Sequence, residues 1–342
     1  MKKKNIVTIG GGTGSFTLLS GLKKYPVNLS AIVSMADDGG STGVLRDELG
    51  VLPPGDVRQC LVALSDSPKV LRELMNYRFE GGKLKGHNFG NLFLSALEKI
   101  SGDFQRAVEL ASQILKVKGE VIPVTSQDTG LFIELKNGKI IRGEHEVNIN
   151  HTIEKTGIKK YYLKPKAKAN PLALKRIKEA DIIVIGPGNH YCSVLPNLFV
   201  EGISRAILKS KAIVIYNCNL VNKKGHTEKF SLDEYAESIN RILGRERIDF
   251  VTFNIKRPDR KLVENYRRKG EAMIEFKKTS RKKRKYKVIQ ADLLSSKVSN
   301  YSNHDAISSV RSFIRHDSDK LAKIITMISE IGTYENIFRE II

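Results

Sequence analysis

NIVTIGGGTGS, residues Asn5–Ser15, is a mostly apolar run followed by four glycines within five positions. The run predicts a buried parallel strand, and residues 13–24 then carry apolar side chains at helical spacing. Glycines between a strand and a helix let the backbone turn sharply, and they bring backbone N–H groups and a helix N-terminus against a phosphate. The stretch therefore predicts an α/β fold with a phosphate-binding loop, whose candidate ligand residues are Gly11, Gly12, Thr13 and Gly14.

A second glycine-rich loop, ADDGGSTG at Ala36–Gly43, follows the next apolar run. Asp37 or Asp38 occupies the place where dinucleotide-binding proteins hold ribose hydroxyls, but two carboxylates ahead of glycines and hydroxyls also suit phosphate or phosphate-bound magnesium. Ser15 stands where the third glycine of the dinucleotide motif belongs, and no Lys-Ser or Lys-Thr pair follows as in an ATP-hydrolysing loop. The motifs therefore leave the nucleotide open. The candidates are Asp37 and Asp38 for ligand binding, catalysis or metal binding, and Gly39 and Gly40 for ligand binding.

Two arginines and two asparagines near these loops are further candidates. Arg46 and Arg58 offer planar guanidinium donors that match a phosphate, although an ion pair with a neighbouring carboxylate explains each of them equally well. Asn88 and Asn91 lie in KGHNFGN, residues 85–91, a motif that predicts a helix N-terminus suited to an anion, a sugar or a base. We expect Arg46, Asn88 and Asn91 to contribute to a ligand site.

A third glycine loop, GPGNH at residues 186–190, ends a strand predicted at residues 181–185. Ligands of open α/β sheets bind at the carboxyl ends of strands, so Pro187 and Gly188 are candidate ligand residues. Asn219 follows the next predicted strand, where it either bonds a base or sugar or serves as a turn residue.

Two helices are predicted beside these loops. Asp56 follows a Pro-Pro-Gly break and is a favourable N-cap for a helix at Val57–Leu64. After the third glycine loop, the apolar pattern of Leu198–Leu208 predicts one continuous helix.

The alternation of strands and helices predicts a doubly wound, mostly parallel sheet. Asn137-Gly138 predicts the turn of an antiparallel hairpin and hence an antiparallel insertion at about residues 118–165. The insertion is either structural or a wall over the site. We expect a single domain over residues 1–342, with a core at 1–255 and a C-terminal subregion at 256–342.

The chain has 342 residues and a net charge of +21, which suggests anionic partners. Eight of the eleven residues at Lys277–Lys287 are Lys or Arg, but few aromatic residues accompany them, so direct nucleic-acid binding is not expected as a main function. Cys60, Cys192 and Cys218 lie in apolar runs and suit reduced core thiols. No apolar segment follows the first lysines and no stretch reaches the length of a membrane span, which predicts a cytoplasmic protein.

Five ordered motifs closely resemble the bacterial gluconeogenesis factor family, a branch of the CofD-like superfamily that also contains 2-phospho-L-lactate transferase. The resemblance extends over nearly the whole chain, and five motifs in order are far more specific than one glycine loop. The motifs are GGGTGSFTLLSGLK (Gly10–Lys23), ADDGGSTGVLRDELGVLPPGDVRQCLVALSD (Ala36–Asp66), GHNFGN (Gly86–Asn91), GPGNHYCSVLPNL (Gly186–Leu198) and IRHD (Ile314–Asp317).

The resemblance implies a cytoplasmic, Rossmann-like protein that binds a nucleotide sugar of the UDP-N-acetylglucosamine type and supports growth and normal cell shape on gluconeogenic carbon sources. It implies that Tyr266 and Arg315 hold the nucleotide sugar. The transferase relatives join a phospholactate moiety to a deazaflavin and use a divalent metal. The residues that the resemblance places in the ligand pocket are Gly12, Thr13, Gly14, Asp37, Asp38, Asn88, Asn91, Pro187 and Gly188.

Three functions follow as hypotheses. The first is a regulatory protein without an obligatory cofactor that binds a UDP-sugar or an NAD-like dinucleotide, forms a homo-oligomer (dimer or higher) and contacts a protein partner in cell-wall control. The second is a metal-dependent transferase in which Asp37 and Asp38 hold magnesium against a diphosphate. The third is attachment to nucleic acid or an anionic membrane through Lys277–Lys287.

Overall fold

The computed structural model describes residues 3–276, 284–296 and 314–341. Ten strands run through these residues and form two sheets. They are β1 (Asn5–Gly10), β2 (Asn28–Val33), β3 (Glu120–Pro123), β4 (Gly130–Leu135), β5 (Ile140–Arg142), β6 (Ile158–Lys164), β7 (Ile182–Ile185), β8 (Ile213–Asn217), β9 (Phe250–Asn254) and β10 (Lys287–Ala291).

The larger sheet is parallel and has seven strands in the order β10-β9-β8-β7-β1-β2-β3. Every residue of β7 is buried, and β1 and β8 are buried after their first residue. Parallel strands without an exposed face are expected where helices cover both sides of a sheet. The predicted fold class, a doubly wound and mostly parallel α/β sheet, is therefore confirmed.

The connections between the strands carry most of the helices. Helix α1 packs against α3 and α14, whereas α9, α10, α11 and α12 form a second packed group. The helices are α1 (Gly12–Leu22), α2 (Gly40–Leu49), α3 (Gly55–Leu64), α4 (Lys69–Asn76), α5 (Phe89–Ser101), α6 (Phe104–Ile114), α7 (Gly143–Ile149), α8 (Ile153–Thr156), α9 (Pro171–Glu179), α10 (Leu195–Phe199), α11 (Ile203–Lys209), α12 (Leu232–Leu243), α13 (Arg260–Arg268) and α14 (Ser318–Ile341), with a π-helix at His190–Val194.

The smaller sheet is antiparallel, in the order β5-β4-β6, and confirms the predicted hairpin insertion. The predicted start near residue 118 is wrong, because β3 pairs with β2 in the main sheet. Alternate residues of β4 are buried, as expected for a strand with one face on a core. The backbone N–H of Leu135 bonds the carbonyl of Lys139 across the predicted Asn-Gly turn. Helices α7 and α8 connect β5 to β6 and extend the insertion towards the main sheet's carboxyl edge.

Two of the predicted helix assignments are wrong. Asp56 is not an N-cap, because α3 begins at Gly55 with Pro54 at the N-cap and so includes Asp56 in its first turn. The single helix predicted at Leu198–Leu208 is replaced by α10 and α11, because the backbone is extended at Val200 and left-handed at Gly202, where φ is +103°.

Of the remaining sequence predictions, those on the cysteines and on membrane spans are compared with the structure here, and those on the basic run and on the division of the chain stay predictions. Cys60, Cys192 and Cys218 are buried free thiols. None of the helices within the described ranges is both long and apolar enough to cross a membrane. Most of the basic run, residues 277–283, lies outside the described residues, and the division of the chain into core and C-terminal subregion stays a prediction.

Candidate functional site

The order of the main sheet reverses between β1 and β7, which is the position where open α/β sheets bind their ligands. The first and third glycine loops meet there. A Cβ placed on Gly14 would lie 1.9 Å from the carbonyl oxygen of Pro187, so the two backbones touch and only glycine fits at this position. The N-terminus of α1 therefore opens directly onto the loop that follows β7.

A cavity of about 700 Å³ extends from this junction, within the range of small-molecule sites. It runs from the glycine loops, past the carboxyl end of β8, to α13 and the residues that precede α14. Its lining includes Gly11, Thr13, Gly14, Thr17, Asn148, Ile149, His151, Pro187, Gly188, Asn189, His190, Ser193, Asn219, Leu220, Val221, Asn222, Lys223, Lys224, His226, Thr227, Tyr235, Tyr266, Lys269, Glu271, Ile314, Arg315 and His316.

The structure brings half of the predicted ligand residues together in this cavity. Gly11, Thr13, Gly14, Pro187, Gly188, Asn219, Tyr266 and Arg315 line it. The other eight, Gly12, Asp37, Asp38, Gly39, Gly40, Arg46, Asn88 and Asn91, do not. The ligand roles of both groups stay predictions, but only the first group shares one continuous space.

Tyr266 and Arg315, which are 49 positions apart along the chain, are brought to the far end of the cavity by an apolar cluster. Tyr266 packs with Leu220 and Ile314, and its hydroxyl accepts a hydrogen bond of 3.1 Å from the backbone N–H of Ile314. The carbonyl of Arg315 accepts from the N–H of Ser295, which fixes the backbone on its other side. Partial burial lowers the pKa of Arg315, and its guanidinium remains a cation at neutral pH.

The second glycine loop lies against other elements. The carboxylate of Asp37 accepts from the N–H of Gly39 at 3.0 Å, and Arg46 bonds the Asp37 carbonyl while it pairs with Asp128 at 2.6 Å. Arg46 is therefore in an ion pair, with Asp128 and not with Asp47, Glu48 or Asp56, and its ligand role stays a prediction.

Asn88 and Asn91 belong to a buried polar network. Asn88 caps α5 by accepting from the N–H of Asn91, and the side chain of Asn91 accepts from Arg58 at 2.9 Å. Arg58 also donates to the carbonyl of Met75. Because Arg58 and both asparagines are buried and engaged with one another, their contacts position α3 against α5 beside the glycine loops.

Asp56 occupies the first glycine loop, a role that the sequence did not predict. A Cβ on Gly11 would lie 2.0 Å from Asp56 Oδ2, and the N–H of Gly12 donates to the Asp56 carboxylate. Burial, reinforced by the nearby charge of Asp37, raises the pKa of Asp56 to about 7. One N–H group of the predicted phosphate loop is therefore already bonded to a carboxylate.

Asp56 belongs to a group of buried carboxylates. Burial also raises the pKa values of Asp37 and Glu144, and repulsion adds to the effect, from Asp38 on Asp37 and from Asp37, Asp56 and Asp38 on Glu144. Asp38 lies beside them and accepts from the N–H of His145 at 2.8 Å. Over the residues that the structure covers, no three acidic, histidine or cysteine side chains are arranged to hold a metal ion. Two carboxylates together with a ligand's phosphates do suit magnesium, which keeps few protein ligands.

The insertion supplies one wall of the cavity. Asn148, Ile149 and His151, at the end of α7 and after it, line the space. The side-chain oxygen of Asn148 accepts from Asn189 at 2.7 Å and from the Lys223 Nζ at 2.5 Å, which joins the insertion to both neighbouring loops. Of the two predicted roles of the insertion, the wall describes its position in the structure.

Three buried histidines line the cavity as neutral groups. Burial lowers the pKa of His190 to about 3 and those of His226 and His316 to about 4. Each of these rings has one nitrogen without a hydrogen-bond partner among the described residues. His190 and His316 lie in two of the quoted motifs, but sequence reasoning did not single out any of the three histidines, because their neighbours in space come from segments far apart along the chain.

A second cavity, of about 790 Å³, lies at the opposite, amino-terminal edge of the main sheet. Several of its charged groups are engaged in ion pairs, either with each other or with residues outside the lining. Arg176 bonds Glu120 and Glu179, and Lys118 pairs with Asp66. We assign the functional site to the carboxyl-edge cavity, because that is where the strand ends and the glycine loops converge.

Comparison with known proteins identifies the family of the chain. A family model described as 2-phospho-L-lactate transferase CofD matches residues 6–294. The chain is 36% identical over 329 residues to the gluconeogenesis factor of Bacillus subtilis, which covers 95% of this chain and 98% of the relative. It is 46% identical over 244 residues to the gluconeogenesis factor of Halalkalibacterium halodurans, with 70% of this chain and 74% of the relative covered. The crystal structure of a UPF0052-family protein from Bacillus halodurans superposes with a TM-score of 0.84 at 36% identity, covering 95% of this chain and 99% of that one.

Proposed function

Because the chain belongs to the gluconeogenesis factor branch of the 2-phospho-L-lactate transferase CofD family, we propose that its carboxyl-edge cavity binds a nucleotide sugar of the UDP-N-acetylglucosamine type. Binding without turnover makes the protein a regulator. On this proposal it acts in the cytoplasm as a gluconeogenesis factor, supports growth and cell shape on gluconeogenic carbon sources, forms a homo-oligomer and contacts a protein partner in cell-wall control.

One observation carries the proposal: a single space of about 700 Å³ joins the glycine loops to Tyr266 and Arg315. The diphosphate is assigned to the glycine end, where Gly14 and Gly188 let the backbone approach and α1 presents its N-terminus. The aromatic ring and guanidinium at the other end suit the flat base or the polar sugar. A nucleotide sugar would contact both ends of the cavity, whereas a free phosphate would need the glycine end alone.

The test is isothermal titration of the purified protein with UDP-N-acetylglucosamine, with NAD as a second ligand. We expect saturable binding of the nucleotide sugar, and Arg315→Ala should weaken it by about 10- to 100-fold because a charged hydrogen bond to the ligand is lost. Arg267→Ala is the matched control, since Arg267 lies on the same helix as Tyr266, is exposed and does not line the cavity.

Each outcome of the titration contradicts or supports a different part of the proposal. Equal affinity for the wild type, Arg315→Ala and Arg267→Ala would contradict the assignment of the cavity's far end. Binding of NAD in preference to every UDP-sugar would replace the nucleotide sugar with a dinucleotide. Thermal unfolding of each variant, measured in parallel, shows whether a lost affinity reflects a lost fold.

The buried carboxylates favour a second candidate function, a metal-dependent transferase. Asp37 and Asp56 lie beside the predicted phosphate loop, and their pKa values are raised because burial disfavours the ionised carboxylates. A divalent cation bound to them would remove that cost. Magnesium held there would neutralise the diphosphate of a nucleotide-activated donor. Magnesium-dependent turnover of a nucleotide-activated donor, abolished by Asp37→Asn, would establish this function. Recovery of intact ligand from a broad panel of donors, with and without magnesium, would leave the regulatory proposal in place.

A further inference from the structure

The charges that line the carboxyl-edge cavity are unbalanced. Four cationic side chains, Lys223, Lys224, Lys269 and Arg315, face one carboxylate, Glu271, among the lining residues. The cavity's three buried histidines are neutral at physiological pH and add nothing to this charge. Among the described residues that line the cavity, cationic side chains therefore outnumber carboxylates.

The lysines belong to a defined rim. The backbone of residues 220–222 is paired with residues 272–274, through the N–H of Asn222 to the carbonyl of Ala272 at 2.8 Å and a bridge between Val221 and Met273. This pairing holds Lys224, just beyond it, beside Gly270. A Cβ placed on Gly270 would lie 2.8 Å from the Cδ of Lys224. The positions of these lysines are therefore determined by backbone pairing.

The lysines differ in what they contact. Lys223 is half-buried and donates to the Asn148 side chain, and its burial lowers the pKa of the ammonium group. Lys224 and Lys269 are exposed, and neither forms an ion pair with a residue that the structure describes. Cations that crowd one rim repel each other, so an anion placed among them gains more than it would at an ordinary surface lysine.

The diphosphate of a nucleotide sugar does not account for this rim. On the proposed function its two charges lie against the glycine loops and the N-terminus of α1. Lys223 is tied to that end through the Asn148 side chain, which also bonds Asn189, whereas Lys224 lies beside Gly270. A neutral sugar would leave Glu271 as the one carboxylate facing these lysines among the described lining residues. A ligand with a further anionic group on its sugar would supply another negative charge.

We propose that the cavity prefers a nucleotide sugar whose sugar carries its own carboxylate, and that Lys224 and Lys269, with Lys223 behind them, recognise that carboxylate. The inference rests on the proposed function and specifies the chemical class of its ligand. It assigns to these lysines a role in specificity, because discrimination between two ligands depends on the group in which they differ.

Two pairs of commercial or enzymatically prepared ligands differ by a group that carries a carboxylate, which replaces a hydroxymethyl in the first pair and belongs to an added lactyl ether in the second. The first is UDP-glucose and UDP-glucuronate, and the second is UDP-N-acetylglucosamine and UDP-N-acetylmuramate. By isothermal titration at constant ionic strength, we expect the acidic member of each pair to bind about tenfold more tightly than its neutral partner. The preference should shrink as salt is raised, since exposed charges are screened.

The variant Lys224→Gln/Lys269→Gln tests the residues. It should reduce the preference for the acidic ligand to about twofold or less, while affinity for the neutral ligand changes by less than about threefold. Lys229→Gln removes the same charge from the same loop at an exposed lysine that does not line the cavity, and should retain the wild-type preference.

Each result bears on a stated claim. Equal binding of the acidic and neutral ligands by the wild type overturns this inference and leaves the proposed function standing. An equal loss of affinity for both ligands in the double variant also overturns it, because the lysines would then serve the shared diphosphate. Failure of every UDP-sugar to bind overturns the proposed function itself.

Discussion

Replacing Asp56 with Asn is expected to stabilise the ligand-free protein at neutral pH. The Asp56 side chain lies against Gly11, is 7% exposed, and has its pKa raised from an ordinary 3.8 to about 7 by burial and by Asp37. Between pH 3.8 and about 7, Asp56 has lost its proton in the unfolded chain but keeps it in the folded protein. The free energy of unfolding therefore falls as pH rises through this window, and is lowest above pH 7.

The size of the effect follows from the shift. A difference of about 3 pKa units at about 1.36 kcal/mol each gives an upper bound of roughly 4 kcal/mol by pH 8. Asn keeps the shape of the side chain and an oxygen that accepts from the N–H of Gly12, but it has no proton to lose. We expect Asp56→Asn to be within about 1 kcal/mol of the wild type at pH 4.5 and about 2–4 kcal/mol more stable at pH 8.

The assay is urea unfolding followed by circular dichroism across pH 4.5 to 8, with EDTA present so that no cation binds the carboxylates. An unchanged dependence on urea concentration would show that the same surface is exposed in both proteins. Asp47→Asn, at an exposed position on α2, is the matched control and should follow the wild type at every pH. If the pH dependence of Asp56→Asn parallels that of the wild type, the buried carboxylate does not titrate as argued.

Two further predictions concern stability. Gly21→Ala should destabilise the protein by about 1–3 kcal/mol in chemical denaturation, because its Cβ would lie 2.0 Å from the carbonyl oxygen of Ser318 where α1 meets α14. Gly81→Ala, which meets nothing within 4 Å, should change stability by about 0.5 kcal/mol or less. Arg284→Met should cost about 1–2 kcal/mol, because it breaks the two 2.7 Å bonds to Asp233 on α12, and this loss should largely vanish when Asp233→Asn is already present.

The parts of the fold that the sequence predicted are those that local chemistry determines. Apolar runs between glycine loops specify β1, β7 and β8, and an Asn-Gly pair specifies the hairpin turn in the insertion. The break between α10 and α11 was missed because Gly202 lies in an otherwise apolar helical pattern. Its left-handed backbone, which ends one helix and begins another, is not distinguished from a tolerated helical glycine by periodicity.

The candidate site was predictable at its glycine end and not at its lysine rim. Gly11, Gly14 and Gly188 carry a signal because few other residues allow such close backbone contact. The sequence could not place Lys224 and Lys269 together, since their proximity depends on a backbone pairing between segments about 50 residues apart. Charge along the chain directed attention instead to Lys277–Lys287, most of which lies outside the described residues.

The carboxylate inside the glycine loop links the two candidate functions. A diphosphate that approaches Gly11 also approaches Asp56, and two negative groups in a buried site repel each other strongly. Either a proton on Asp56 or a cation shared with Asp37 must remove this repulsion, while Arg58 offsets only part of it. Without magnesium, affinity for UDP-N-acetylglucosamine should therefore fall as pH rises through about 7. With magnesium the affinity should not fall as pH rises. In Asp56→Asn the affinity should be nearly independent of both pH and magnesium. A wild-type affinity that does not change with pH or magnesium would place the diphosphate away from Asp56, which would contradict its assignment to the glycine loop.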